Sequence, residues 1–190
     1  PDTIINLLEA ARKIKNFSIL APNINNFVYK EECYLESNKN EKYTLMRFVT
    51  GCALFFEKKL FNEVGYFDEN IFLYFEENDF FHQCIKKNKK IYLIENLEAY
   101  HWGGSVDNMS IKYECLKKWH WEWSKYYFFN KHYNKIIIFF IALNSFIKFI
   151  MKIPYFYIFD KNKNKIYRSR LDGLLSYYLK KKKYYPLNEL

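Results

Sequence analysis

Glu76, Glu77 and Asp79 stand together in "FLYFEENDFFHQC" at 72–84, among Phe72, Tyr74, Phe75, Phe80 and Phe81. Acids this close repel one another, and burial among rings disfavours their charged forms. Both effects raise a carboxyl pKa toward the range a general base uses. The plainer alternative is that acidic residues suit the first turn of a helix, where the macrodipole favours negative charge. His101 is the second chemical candidate. It follows a strand-like run and opens "HWGGSV", where Gly103, Gly104 and Ser105 suit a loop shaped around something. A neutral imidazole can hold a divalent ion, which would neutralise phosphate oxygens. A third candidate is Gly51, between two apolar runs, where backbone can approach closely. From there Gly65, Phe67 and Asp68 lead into the acidic stretch.

The elements that must position these residues follow from periodicity and punctuation. Residues 2–15 place Ile4, Ile5, Leu7, Leu8 and Ala11 on one side of a helix that Asp2 can cap. "FSILAP" at 17–22 reads as a short buried strand stopped by Pro22, and 23–43 as an irregular polar excursion. The run from Thr44 gives a strand, a break at Gly51, a second strand, and a helix over 58–64 ended by Gly65. A helix over 77–88 and a strand over 91–95 complete an alternating α/β layered region. Beyond His101 the pattern turns helical, with helices over 110–133 and 134–153 and a basic one over "GLLSYYLKKKKYY". The expected organisation is therefore an α/β domain over 1–109 and a helical, basic extension over 110–190.

Half of the chain is apolar and 22% is aromatic, which suits a sizeable core and excludes a disordered tail. The overall charge of +9 is unevenly placed. Residues 1–114 carry 14 Lys/Arg against 17 Asp/Glu, and residues 115–190 carry 16 against 4. The basic half favours an anionic partner, and with no nucleic-acid motif beside it that partner is read as a membrane surface. In "IIIFFIALNSFIKFIMKIPYFYIF" at 136–159 the uncharged apolar part covers 136–147, short of the roughly 20 residues a spanning helix needs. Asn144, Lys148 and Lys152 recur at i, i+4 and i+8 as a polar stripe. An interfacial helix, a packing helix and a spanning helix all remain open, the first fitting best. Cys33, Cys52, Cys84 and Cys115 form no Cys-x-x-Cys pair and no secretory leader is visible. Reduced thiols packed in the core, in a cytoplasmic setting, are expected.

Read as one block, "TGCALFFEKKLFNEVGYFDENIFLYFEENDFFHQCIKKNKKIYLIENLEAYHWGGS" resembles the C-terminal half of the catalytic domain of glycosyltransferase family 2, and is most similar to its rhamnosyltransferase-type branch. "PDTIINLLEAARKIKNFSILAPNI" is similar to the helix and strand that follow the family's metal-binding acidic motif. The resemblance implies the acceptor side of a GT-A fold, with the nucleotide-binding part expected before Pro1. It implies an inverting transfer of a sugar, rhamnose being the branch's namesake, from a nucleotide-sugar donor to a glycan or lipid-linked acceptor in surface polysaccharide synthesis. By position Glu77 matches the catalytic base, with Glu76 and Asp79 as flanking acids. His101 matches a ligand of a divalent metal, Mg or Mn, shared with the acidic motif before Pro1. Thr50, Gly51, Asp68, Trp102 and Ser105 match the acceptor side. Glu77 departs from the family's usual Asp by one methylene, which moves the carboxyl by about 1 Å. The implied location is the cytoplasmic face of the cell membrane, held peripherally.

A different class of function is also compatible with these residues: a truncated product that binds membranes or glycans without catalysis. There Trp119, Trp121 and Trp123 of "WHWEW" would present rings to sugar or lipid head groups. Against this, alternate residues on a helix do not share one face, which favours simple packing.

Overall fold

The computed structural model describes residues 2–25, 27–35, 42–101 and 110–181. The protein is mixed α/β with a C-terminal helical region, and it divides into two compact units. One comprises Pro1–Asp68 and Glu77–Ser105, the other Glu69–Glu76 and Val106–Leu190. The sequence pattern groups 69–76 with the first region. The structure assigns it to the second, so the chain enters the second unit between Asp68 and Glu69 and returns to the first between Glu76 and Glu77.

The first unit is built on a small sheet of β1 (Ile19–Ile24), β2 (Tyr43–Met46) and β3 (Ile91–Ala99), in the order β1-β3-β2. β3 runs parallel to β1 and antiparallel to β2. α1 (Thr3–Lys13) packs Leu7 and Ala10 with Leu20, Ile94 and Leu97. Ile19, Ala21, Met46, Ile91 and Leu93 form a second core with residues of α2 (Lys59–Val64) and α3 (Glu76–Lys86). Alternating side chains of β1 therefore enter two different cores, as a strand covered on both faces requires.

Four expectations need correction. Pro22 does not stop its strand: β1 continues to Ile24, and its register with β3 shifts between Pro22 and Asn23. A proline is tolerated there because β1 is an edge strand and the irregularity removes a ladder bond that Pro cannot donate. The strand expected after Gly51 is reduced to one bridge, Phe55 with Leu20. On α1, Ile4, Ile5 and Leu8 are exposed, and the buried stripe is Leu7 and Ala10 with Ala11 and Ile14 against them. The Asp2 side chain makes no cap bond; its carbonyl accepts from Asn6 N at 2.9 Å. Gly65 does end α2, at φ 100°, a conformation that favours glycine.

The second unit contains α4 (Ile111–His132), α5 (Lys135–Phe159) and α6 (Lys161–Tyr178). Asn134 and Asp160 cap α5 and α6, accepting from Ile136 N and Lys163 N at 2.9 Å each. α6 starts twelve residues before the expected helix at Gly173; of its buried residues Asn164, Ser169, Gly173 and Ser176 are small or polar and Leu174 alone is a large apolar residue, so its early turns carry no apolar period. Those small residues let it lie close to α4. A Cβ at Gly173 would come within 2.4 Å of the Trp119 carbonyl oxygen, and Ser169 Oγ donates to the Cys115 carbonyl at 2.6 Å. Trp119 and Trp123 are buried on one face, with Trp119 Nε1 donating to Asp172 at 2.6 Å, while Trp121 is 42% exposed. Glu122 is fully buried. Arg170 donates to its Oε1 from Nε at 2.8 Å and Nη2 at 2.6 Å, and Lys125 pairs with its Oε2. The guanidinium also lies 4.9 Å from the Phe149 ring centre, which ties α5 into the same network.

All four cysteines are free. Cys84 and Cys115 are buried, and burial pushes the Cys84 thiol up to about 12; Cys52 is exposed, contrary to a core role for every thiol.

His120 generates a pH prediction. It lies between the rings of Phe72 and Trp119, and burial pushes its imidazole down to about 4 from 6.5. A depressed histidine pKa means that the neutral form is the one folded. Its contribution is present above pH 6.5 and is lost as pH falls from 6.5 toward 4, amounting to about 3 kcal/mol. Melting temperature measured across this range should drop on acidification, and His120→Gln should flatten the drop. An unchanged slope in the variant would contradict the assignment.

Candidate functional site

The chain reaches the acidic cluster through an unusual backbone. Tyr74 and Phe75 have φ of 64° and 70°, the left-handed region that bulky residues avoid. Their rings and those beside them hold this turn within the helical unit. Phe75 lies 5.1 Å from Trp121, 5.5 Å from Phe128 and 6.0 Å from Phe129, and Tyr74 lies 5.3 Å from Trp121. The Leu73 carbonyl accepts from Ser124 Oγ at 2.8 Å. Glu76 and Glu77 then open α3. The two groups of aromatic residues in the opening motif thus serve different units: 72–75 pack on α4, whereas Phe80 and Phe81 are buried in the sheet core.

Within the first unit the structure brings Glu77 together with Gly51. A Cβ at Gly51 would stand 3.3 Å from Cβ and Cγ of Glu77 and 3.4 Å from its Cδ, so a side chain there would press on Glu77 and the carboxylate would have to give by a few tenths of an ångström. Glu77 Oε2 is buried and has no hydrogen-bond partner among the described residues. The turn itself is pinned. Thr50 N donates to the Tyr29 hydroxyl at 3.2 Å, and Thr50 Oγ accepts from Cys52 N at 3.2 Å. Burial pushes the Tyr29 hydroxyl up to about 12, so it stays neutral at physiological pH.

The other expected site residues fall differently. Asp79 is fully buried and accepts from Gln83 Nε2 at 2.8 Å one helical turn on, a bond that fixes α3 internally. Asp68 is half-buried before the turn, and His101 is exposed, its N donating to Asn25 Oδ1 at 2.9 Å. Trp102 and Ser105, with Gly103 and Gly104, lie outside the described residues. Among the described residues no three His, Cys, Asp or Glu side chains converge as a metal set. Of the implied ligand set, His101 is the one named residue that the described residues include. Sequence reasoning missed Tyr29 and Asn25. Both lie in the polar 23–43 stretch, whose lack of periodicity gives no signal of their partners.

No family model matches the chain, and no curated protein or solved structure does.

A buried acceptor without a donor costs about 1–3 kcal/mol, so removing the carboxylate should not destabilise the fold. In urea unfolding we expect Glu77→Ala to be neutral or stabilising. Gly51→Ala should cost about 1 kcal/mol alone and at least about 0.5 kcal/mol less in the Glu77→Ala background. Additive effects would show that the two residues do not touch.

Proposed function

We propose that the chain is the acceptor-side portion of an inverting, GT-A-type glycosyltransferase and that Glu77 is its general base. The observation that carries this is the Glu77 carboxylate, held against Gly51 with Oε2 buried and unpartnered among the described residues. A buried acid without a donor is a cost that a purely structural residue has no reason to retain. The sequence resemblance over 50–105 adds its weight and supplies the reaction class.

In this reading the acceptor hydroxyl attacks the anomeric carbon from the side opposite the nucleotide diphosphate. The new bond forms from the hydroxyl oxygen to that carbon. The bond from the carbon to the leaving diphosphate oxygen breaks and its electron pair departs with the diphosphate. The hydroxyl proton passes to the Glu77 carboxylate. One such proton transfer is worth about 10²–10⁴-fold in rate. In the family the chain resembles, the donor half of the site and the Mg or Mn ligands come from the part N-terminal to the matched stretch, and His101 would join those ligands.

The same reading has the helical unit hold the enzyme on the membrane. α5 is long and apolar enough to cross a bilayer, and only 17% of its most apolar stretch is buried. Its inner stripe, Ile138, Ala142 and Phe149, is committed to protein. Outward, Ile136 (69% exposed), Phe140 (62%), Met151 (69%) and Ile158 (75%) present an apolar face over the length of the helix. Of the expected polar stripe, Asn144 and Lys148 are exposed and Lys152 donates to the Tyr167 hydroxyl at 3.0 Å. One protein-bound face and one apolar outer face suit a helix lying in the interface at the cytoplasmic surface. The same face is what favours the second reading, a membrane-binding protein without catalysis.

The test is incorporation of labelled sugar into lipid-extractable product by membranes carrying the protein, across a panel of nucleotide-sugars. Transfer with at least one donor, abolished by Glu77→Gln, is expected. Transfer that survives the substitution would remove Glu77 as base, and vesicle binding without any transfer would favour the non-catalytic reading.

A further inference from the structure

We infer that the helical unit carries a binding site for the phosphate-bearing head group of an anionic membrane lipid. The site is a groove of about 680 Å³ among the C-terminal ends of α4 and α6 and the start of α5. The inference rests on the membrane reading of α5 and adds to it what is recognised there.

The groove pairs a flat aromatic wall with converging cations. Trp123 and Tyr127 stack with ring centres 5.3 Å apart at 11°, and Tyr177 meets Trp123 edge-on at 5.7 Å. Lys131, Lys135, Lys180 and Lys181 line the rim, and among the described residues no carboxylate lines the groove. Four like charges on one concave surface repel each other and raise the local potential for an anion.

Helix ends alone do not explain these lysines. Lys131 and Lys180 suit the negative C-terminal ends of α4 and α6. Lys135 is the first residue of α5, where the macrodipole disfavours a cation and itself attracts anions. Lys180 is also held at φ 52° at the close of α6. Its N donates to the Tyr177 carbonyl at 3.3 Å, and Lys181 N donates to the Ser176 carbonyl at 3.1 Å. This is the helix-ending motif whose left-handed position ordinarily belongs to glycine. A lysine there accepts backbone strain, and with it the chain sets Lys180 and Lys181 on the groove.

Location selects a lipid as the source of the phosphate. Lys135 is followed directly by the exposed Ile136 and Ile137 of the outer apolar face of α5. A head group in the groove leaves its acyl chains at the beginning of that face, which is how a basic pocket beside an interfacial helix takes an anionic lipid.

The experiment is vesicle flotation of the protein with phosphatidylcholine alone and with phosphatidic acid included, repeated in the presence of inorganic diphosphate. Wild type should favour the anionic vesicles, and diphosphate should reduce that preference. Lys135→Ala, Lys180→Ala and Lys181→Ala combined should weaken anionic-vesicle binding roughly hundredfold, at about fivefold per lysine. A control triple of the exposed Lys112, Lys118 and Lys161 to Ala should leave most of it. Equal losses in the two triples would overturn the site in favour of diffuse surface charge. Binding to neutral vesicles with no anionic preference overturns the site while leaving the membrane reading intact, whereas binding to no vesicle sinks both. Diphosphate binding to the groove without vesicle preference would overturn the lipid as ligand.

Discussion

The arrangement turns on two bulky residues, Tyr74 and Phe75, fixed in left-handed backbone immediately before an acidic pair. Such conformations cost about 1–3 kcal/mol each and persist only where surrounding packing over-determines them. Here the packing is visible: Phe75 is surrounded by Trp121, Phe128 and Phe129, and the Leu73 carbonyl is held by Ser124. The aromatic richness around the acids is therefore not one wall around a charge. It is two separate packing tasks, one on each side of the point where the chain passes between units.

The platform that fixes this turn depends in turn on α4, and α4 on α6. Gly173 and Ser169 allow an approach that no larger residue permits, and Glu122 sits fully buried between Arg170 and Lys125. A buried ion pair contributes little net stability, because desolvation offsets most of its Coulomb energy. Removing one partner, however, strands a buried charge at several kcal/mol. We regard the network as a device that fixes the register of three helices, one of which, α5, has an outer surface too uniformly apolar to do so.

Much of this organisation is legible in the sequence, for identifiable reasons. α3, β3, the Gly65 terminus and the change to long helices after His101 follow from periodicity and from residues with restricted backbones. The closeness of Gly51 to the acids is visible only as a glycine between apolar runs, and the structure gives it a partner in Glu77. What local patterns miss is tertiary. Pro22 looks like a stop because its edge position is invisible locally, and α6 looks late because most of its buried stripe, Leu174 apart, is small or polar. Tyr29 and Asn25 reach residues tens of positions away, and no periodicity signals a single long-range hydrogen bond.

The central claim is chemical: the carboxylate at position 77 accepts a proton while the sugar is transferred. Its most direct test is a single-turnover measurement on membranes carrying the protein, with saturating donor and acceptor, paired with the donor dissociation constant. The account predicts that Glu77→Gln leaves donor affinity within about twofold of wild type and slows the chemical step by about 10²–10⁴-fold. A chemical step at the wild-type rate, or a loss wholly explained by weaker donor binding, would contradict it.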